Sequence, residues 1–165
     1  MLYLKKSVLP LVLAIVCVFS VIFAVVVLLN TNNTVNPQFT PPPFDSNAVA
    51  GTPVLDSDSG YGEVDATAYK VGVCGKIKTE SNKAFVYLNN LSENNVWIKA
   101  RVFDSQDTVI GESGLIKQGW YLPYITLFNV PQDKKLTIKI MAYEPDTYHS
   151  AGAVTLNAVI KEDQQ

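Results

Sequence analysis

The chain has 165 residues, of which 13 are lysine or arginine and 15 are aspartate or glutamate, so its formal net charge is −2. A nearly neutral chain without a basic cluster lacks the electrostatic footprint of a nucleic-acid-binding protein, and we exclude nucleic acid as a partner. The length leaves room for one domain of about 100 residues beside an apolar N-terminal stretch and a polar segment.

An uncharged stretch of 22 residues, residues 8–29, stands close to the N-terminus. As a helix it would measure roughly 33 Å, which is enough to cross the hydrocarbon core of a bilayer. Lys5 and Lys6 precede it, and the next basic residue is Lys70. The positive-inside rule therefore predicts a single-pass signal-anchor at the cell membrane. It places residues 1–7 in the cytoplasm, the lipid bilayer around residues 8–29, and the remaining chain outside.

A cleaved signal peptide is the alternative to an anchor. Such a peptide has a shorter apolar region, of about 7–15 residues, that ends in small residues. Here residues 25–29 continue the apolar run past Ala24, the small residue nearest a possible cleavage site. We therefore favour a retained transmembrane helix, in which Cys17 is a lipid-facing or packing residue.

Residues 30–62 are rich in Asn, Thr, Ser, Pro and Gly and contain few large apolar side chains. Such a segment cannot bury enough apolar surface to offset the entropy of ordering it. Pro37 and the prolines at 41–43 favour polyproline II, so we expect a partly stiff extracellular linker. Its acidic end, residues 56–63, has carboxylates at two positions of a calcium loop but lacks the glycine and the final glutamate. We interpret it as a solvated linker end.

From residue 63 onwards, alternating apolar and polar residues replace the continuous apolar run. Pro123 lacks an N–H, which makes its segment an edge strand or a bulged one. About seven short strands separated by turns indicate an all-β, immunoglobulin-like β-sandwich over residues 63–162, with a small barrel as the alternative. Residues 163–165 form a tail. We predict strands over residues 69–78, 84–89, 96–104, 108–112, 120–128, 136–143 and 152–160.

Two runs within this domain resemble known proteins. They are residues 94–104, NNVWIKARVFD, and residues 111–119, GESGLIKQG. Both resemble parts of immunoglobulin-like modules of bacterial surface proteins, in which a hairpin is followed by a glycine and an aromatic residue at the next strand. The resemblance spans about 95 residues, and it implies a cell-surface location and a role in spacing, adhesion, assembly or glycan binding.

Residue types that carry catalysis or bind metals are sparse. The single histidine, His149, lies near Glu144 and Asp146 in a stretch that turn chemistry explains. The two cysteines, Cys17 and Cys74, are separated by the predicted membrane, and no cluster supplies the usual transition-metal ligands. We therefore predict no catalytic residue, no metal, no cofactor and no enzymatic activity.

The same sequence pattern bears on two covalent modifications. Asn32 and Asn90 fit the N-glycosylation sequon, which matters only in a eukaryotic host. An intramolecular bond between Asn157 and either Lys70 or Lys76 would need both partners in the core. Alternation along the last strand turns Asn157 outward, so we do not predict this bond.

Aromatic residues away from the aliphatic faces are the most informative feature of the domain. Trp120, Tyr121, Tyr124 and Tyr148 fall at an edge or in a loop, and we predict that they bind a partner or ligand. The leading hypothesis is a membrane-anchored cell-surface protein whose β-sandwich binds or assembles with other proteins, with strand pairing at residues 120–128. A carbohydrate-binding surface module that stacks sugars on exposed Trp and Tyr is the alternative.

Overall fold

The computed structural model describes residues 4–31, 40–129, 131 and 133–161. The chain divides into two compact units, Met1–Thr40 and Pro41–Gln165. In the first unit, helix α1 spans Leu4–Thr31. The Ser20 hydroxyl donates to the Val16 carbonyl over 2.8 Å, so this polar side chain is satisfied within the helix.

The predicted transmembrane anchor over residues 8–29 is wrong. Within the part of the chain that the structure describes, no helix is long and apolar enough to cross a membrane. The signal-anchor interpretation and the single-pass localisation, with a cytoplasmic N-terminus and an extracytoplasmic domain, are corrected with it.

Twelve strands are found among the described residues, and they form two sheets. Sheet I has five strands in the order β1 (Val49–Ala50), β9 (Trp120–Leu122), β6 (Leu88–Asn90), β3 (Lys70–Cys74) and β2 (Tyr61–Asp65). Sheet II has seven strands in the order β10 (Ile125–Thr126), β5 (Lys83–Phe85), β4 (Lys76–Glu80), β12 (Ser150–Ile160), β11 (Lys135–Tyr143), β7 (Trp97–Phe103) and β8 (Val109–Glu112). Paired strands are antiparallel apart from β4 and β12, which are parallel. A short 3-10 turn spans Ser57–Ser59.

The core lies between the two sheets and follows from alternation along the strands. Every second residue of β7 and β11 is buried, and the residues between them face outward or are partly covered. Burying one large aliphatic side chain contributes about 1.5–3 kcal/mol, so this layer supplies most of the driving force for folding. Its fully buried members include Ile98, Ile138 and Ile140 from sheet II and Val71, Leu88 and Leu122 from sheet I.

Three stretches that we predicted as single strands each divide between the two sheets. Residues 69–78 form β3 and β4, residues 84–89 contribute to β5 and β6, and residues 120–128 contain β9 and β10. We call the points where the chain passes from one sheet to the other switches. A hydrogen bond joins two of them: the Tyr87 N–H, between β5 and β6, donates to the Pro123 carbonyl, between β9 and β10, over 3.1 Å. Apolar alternation continues through each switch, so the pattern does not reveal it. The predicted fold, an immunoglobulin-like sandwich of about seven strands behind a transmembrane helix, is corrected to these two sheets of five and seven strands.

Sheet II curls so that its two edge strands approach each other. Gly111 of β8 forms an antiparallel bridge with Leu127, and the Phe128 N–H donates to the Ile110 carbonyl over 2.6 Å. In sheet I, β9 lies between β1 and β6. Residues 120–128 therefore present no continuous free edge within the described chain.

The second half of the predicted linker is built into the β domain. Phe44 forms a parallel bridge with Leu115, and the Asp45 N–H donates to the Leu115 carbonyl over 2.8 Å. β1 follows at one edge of sheet I. Residues 51–60 then lead to β2 at the opposite edge, with Pro53 buried on the way. These residues are part of the domain's own architecture.

The two sequons differ in position. Asn32 lies outside the described residues, as does Pro37. Asn90 is fully buried, and its side-chain amide donates to the carbonyls of Val96 and Ile116 over 2.8 and 3.0 Å. A side chain in this position cannot carry a glycan in the folded domain.

Candidate binding surface

A tight turn places Lys117 beside Trp120. The Trp120 N–H donates to the Lys117 carbonyl over 3.2 Å. Gly119, inside the turn, has a φ of +72°, a left-handed conformation that glycine adopts without strain. The Gly119 N–H donates to the Asn90 carbonyl over 2.7 Å, which ties the turn to the end of β6. The turn therefore fixes the separation of Lys117 and Trp120.

Phe44 reaches the same region from the segment before β1. The Leu115 N–H donates to the Pro43 carbonyl over 2.9 Å, and Leu115 accepts from the Asp45 N–H in return. This close approach depends on Gly114, because an added Cβ would lie 2.6 Å from the Asp45 nitrogen. Phe44 is thus held by backbone pairing on both sides.

Five side chains form a continuous surface, which we call the aromatic surface: Tyr148, Trp97, Phe44, Lys117 and Trp120. The ring centroids of Phe44 and Trp97 lie 4.9 Å apart at an interplanar angle of 79°. Those of Trp97 and Tyr148 lie 5.4 Å apart at 59°. The Lys117 ammonium lies 4.7 Å from the Phe44 ring centroid and 5.8 Å from that of Trp120. Aromatic pairs and cation–π contacts are favourable at these distances.

A cavity of about 270 Å³ opens within this surface, lined by residues that include Phe44, Asp45, Ser46, Lys117 and Trp120. Asp45 does not neutralise Lys117. Its Oδ1 accepts from the Asn47 N–H over 3.0 Å and its Oδ2 from the Gly114 N–H over 2.8 Å. Among the described residues, Lys117 forms no salt bridge. The surface therefore combines partly exposed aromatic rings with one cation that lacks a carboxylate partner among the described residues.

The outer face of β7 continues from Trp97 to Lys99 and Arg101. Both cations pair with Glu112 of β8: the Lys99 ammonium contacts Oε1, and the Arg101 Nε donates to Oε2 over 2.9 Å. Burial raises the pKa of Glu112, but the hydrogen bonds and charges of Lys99 and Arg101 lower it by more, so its pKa lies below the usual value of 4.5. Glu112 is therefore ionised at neutral pH and holds both cations beside Trp97.

The four predicted binding residues divide among three places. Trp120 and Tyr148 belong to the aromatic surface, at its two ends. Tyr121 lies on the face of β9 opposite to Trp120, and Val49 of the neighbouring strand β1 is in register with it. Tyr124 belongs to a separate cluster. The structure thus brings together two of the four.

Tyr124 packs in a smaller aromatic cluster at the end of β5. Its ring centroid lies 5.8 Å from that of Phe85, and the Lys83 ammonium lies 4.2 Å above the Tyr124 ring. Its hydroxyl donates to the Asn47 side-chain oxygen over 3.2 Å. These contacts occupy the ring's face and its polar end within the domain itself.

Phe44, Trp97 and Lys117 are not among the binding residues predicted from the sequence. Trp97 carried a usable signal, because it occupies an outward position in the strand with the clearest alternation. Phe44 flanks the prolines at 41–43, where an aromatic residue can contact a partner, but no local pattern joins it to Lys117, since a bridge between residues 44 and 115 connects segments that are far apart in the sequence.

The group around His149 builds a turn. The Glu144 N–H donates to the His149 carbonyl over 2.9 Å and the Tyr148 N–H to the Glu144 carbonyl over 3.1 Å. The His149 Nδ1 lies 3.8 Å from Glu144 Oε2, and both side chains are mostly exposed. Within the described chain, no group of three or more His, Cys, Asp or Glu is placed to hold a metal ion. The turn positions the Tyr148 ring against that of Trp97.

Comparison of the chain with family models, curated proteins and solved structures gave no match.

Proposed function

We propose that the β domain is a non-enzymatic binding domain that recognises another protein through the aromatic surface. The observation that carries the proposal is the position of Lys117. Its ammonium lies over the Phe44 and Trp120 rings, and it has no carboxylate partner among the described residues. A cation that lies against aromatic rings favours an anionic partner group, because partial desolvation of the ammonium strengthens its attraction to a carboxylate.

The partner has a definable chemistry. It is a protein segment that brings a carboxylate to Lys117 and places a bulky apolar side chain in the neighbouring cavity of about 270 Å³. Trp and Tyr dominate the energetics of many protein interfaces, and the aromatic surface offers Trp97, Trp120 and Tyr148. Its rings are held by backbone pairing and by one another, so little side-chain entropy is lost when the partner binds.

The ring geometry favours a protein over a sugar as the ligand. A sugar stacks on a flat aromatic face, whereas Phe44 and Trp97 meet edge-to-face at 79°. The Lys117 ammonium also covers one face of the Phe44 ring. A carbohydrate is therefore the alternative that the experiment has to exclude.

Photo-crosslinking in cells of the source organism tests the proposal. A photoreactive amino acid replaces Ser46, an exposed residue on the cavity wall. The matched control carries it at Val54, which is 97 % exposed and lies outside the aromatic surface. We expect a discrete protein adduct from position 46 that position 54 does not give. Identical adducts from both positions overturn the proposal, and so does carbohydrate-array binding that Trp97→Ala abolishes without any protein adduct.

A further inference from the structure

Strand β2 is an open edge of sheet I. Its register with β3 pairs Gly62 with Val73 and Val64 with Val71. The Gly75 N–H donates to the Gly60 carbonyl, and the Ala66 N–H to the Tyr69 carbonyl. Even-numbered residues of β2 therefore face β3 with their backbone groups, and the backbone groups of Tyr61, Glu63 and Asp65 point away from the sheet.

These outward groups are largely unpaired in the described chain. The Tyr61 N–H donates to the Ser59 hydroxyl over 3.3 Å. The backbone N–H and C=O of Glu63 and Asp65 form no hydrogen bond within the described residues. The other edge of sheet I, β1, has only two residues, and the edges of sheet II approach each other. β2 is therefore the longest edge that can accept another strand in the described domain.

The core is incompletely covered between β2 and β12, next to this edge, and we call this place the seam. Val64 on the inner side of β2 and Val154 and Leu156 on the inner side of β12 are only partly buried, although they pack against the core. A cavity of about 170 Å³ lies between the two strands, with Gly62 and Leu156 in its lining. A Cβ at Gly62 would meet no atom within 4 Å. The seam has room for apolar side chains that the domain does not itself supply.

The outer side of the same edge is acidic. Glu63 and Asp65 alternate with the inward residues, and both are exposed. Lys70, directly across from Asp65 on β3, is the one basic residue in register with them. A strand added beside β2 would meet apolar surface on one face and carboxylates on the other.

We propose that the β2 edge is a second binding site, which accepts an extended segment of another protein in which apolar residues alternate with lysine or arginine. Backbone hydrogen bonds to Glu63 and Asp65 align the segment. Its apolar side chains cover the seam above Leu156, and its basic side chains face the two carboxylates. This site is separate from the aromatic surface and does not depend on it.

The charge pattern also disfavours a second copy of the same edge as the occupant. A two-fold antiparallel pairing centred on Glu63 would place one Glu63 opposite the other and Asp65 opposite Tyr61. Like charges directly opposite each other destabilise paired strands. The acidic edge thus favours a basic strand over its own copy.

The test uses the full chain and two synthetic probes. The first probe is a capped heptapeptide in which lysine and valine alternate, and the second has glutamate in place of lysine. We expect the lysine probe to bind and to slow hydrogen exchange at the Glu63 and Asp65 amides. The glutamate probe should bind at least about tenfold more weakly, because its carboxylates repel those of Glu63 and Asp65. No binding of the lysine probe, or equal binding of the two, overturns the proposal.

A variant and a modified probe separate strand pairing from charge attraction. Glu63→Pro removes an N–H that points away from β3, so it leaves the β2–β3 ladder intact. We expect it to weaken binding of the lysine probe by at least about tenfold, whereas Glu63→Gln, which keeps the N–H, weakens it less. Methylating alternate backbone nitrogens of the probe gives the same readout on an unaltered protein. Binding that neither Glu63→Pro nor probe methylation weakens contradicts strand addition.

Discussion

The side-chain amide of Asn94 donates to the side-chain oxygen of Asn90 over 2.7 Å, and both side chains are buried. Asn94 also exchanges two hydrogen bonds with the backbone of Lys70. Asn90 in turn donates to the carbonyls of Val96 and Ile116. These carbonyls belong to the residues directly before two members of the aromatic surface. The asparagine pair therefore fixes the aromatic surface to sheet I from the inside.

Replacing Asn90 tests this internal support. Asn90→Ala removes the side-chain partner of the Val96 carbonyl and one of the two acceptors of the Asn94 amide in a buried place, while the Ile116 carbonyl keeps its bond from the Ile98 N–H. We expect the free energy of unfolding to fall by about 2–3 kcal/mol, measured by urea titration. The control Asn95→Ala, at an exposed neighbour, should change it by less than about 0.5 kcal/mol. Equal effects of the two substitutions would show that the network does not support the fold.

Gly72 and Tyr61 form a second testable pair. The Tyr61 ring lies across Gly72, and a Cβ at this position would collide with the ring and its hydroxyl. We expect Gly72→Ala to destabilise the domain by about 1–3 kcal/mol. Tyr61→Ala removes the obstacle, so the double variant should lose less stability than the sum of the two single variants. Strict additivity would contradict the contact. Gly62→Ala, where the added Cβ meets open space, is the matched control.

Glu112 gives the domain an acid-side dependence of stability. Its pKa in the folded state lies below the usual value of 4.5, because Lys99 and Arg101 outweigh the effect of burial. A group with a depressed folded pKa stabilises the fold fully at pH values above its unfolded pKa, and this stabilisation is lost as the pH falls through the folded pKa. We therefore expect the melting temperature to decline below about pH 4.5 and this decline to be shallower in Glu112→Gln. Parallel pH profiles for the two proteins would contradict the assignment.

The two thiols should differ in reactivity. Cys74 is buried, and burial raises its pKa above the usual 9.0, while Cys17 is exposed. Because the thiolate is the reactive form, we expect native protein to be alkylated quickly at Cys17 and slowly at Cys74. Intact-mass measurement of the Cys17→Ser variant isolates the slow site, and denaturant should make it react fast. Rapid alkylation of Cys74 in the native Cys17→Ser variant would be inconsistent with its burial.

The sequence pattern reveals strand periodicity but not which sheet a strand joins. The inward positions of β7 and β11 were predictable, since Ile98 and Ile138 lie on the aliphatic faces of the two clearest alternating runs. The switches near Tyr87 and Pro123 were not, because alternation is the same on both sides of a strand that changes sheets. The transmembrane prediction relied on a continuous apolar run alone, and it is wrong because no helix among the described residues is long and apolar enough to cross a membrane.

For the candidate site as well, the local sequence pattern does not show which distant segments pair. Trp120 and Tyr148 were predicted because aromatic residues in turns stand out in a sequence. Phe44 falls within the predicted linker, because low apolar content predicts a segment that does not order itself. The pairing with Leu115 supplies that order from outside the segment. Neither Phe44 nor Lys117 could be placed until this non-local pairing was known.

Protein recognition through the aromatic surface is tested most directly by reversing the charge of Lys117. The chain that carries the photoreactive residue at position 46 is compared with the same chain bearing Lys117→Glu. We expect the yield of the protein adduct to fall at least about tenfold, because repulsion replaces attraction to the partner's carboxylate. Lys135→Glu makes the same charge change at an exposed position of β11 and should leave the yield unchanged. An adduct yield that Lys117→Glu does not lower, in a chain whose unfolding free energy is also unchanged, would contradict the proposed function.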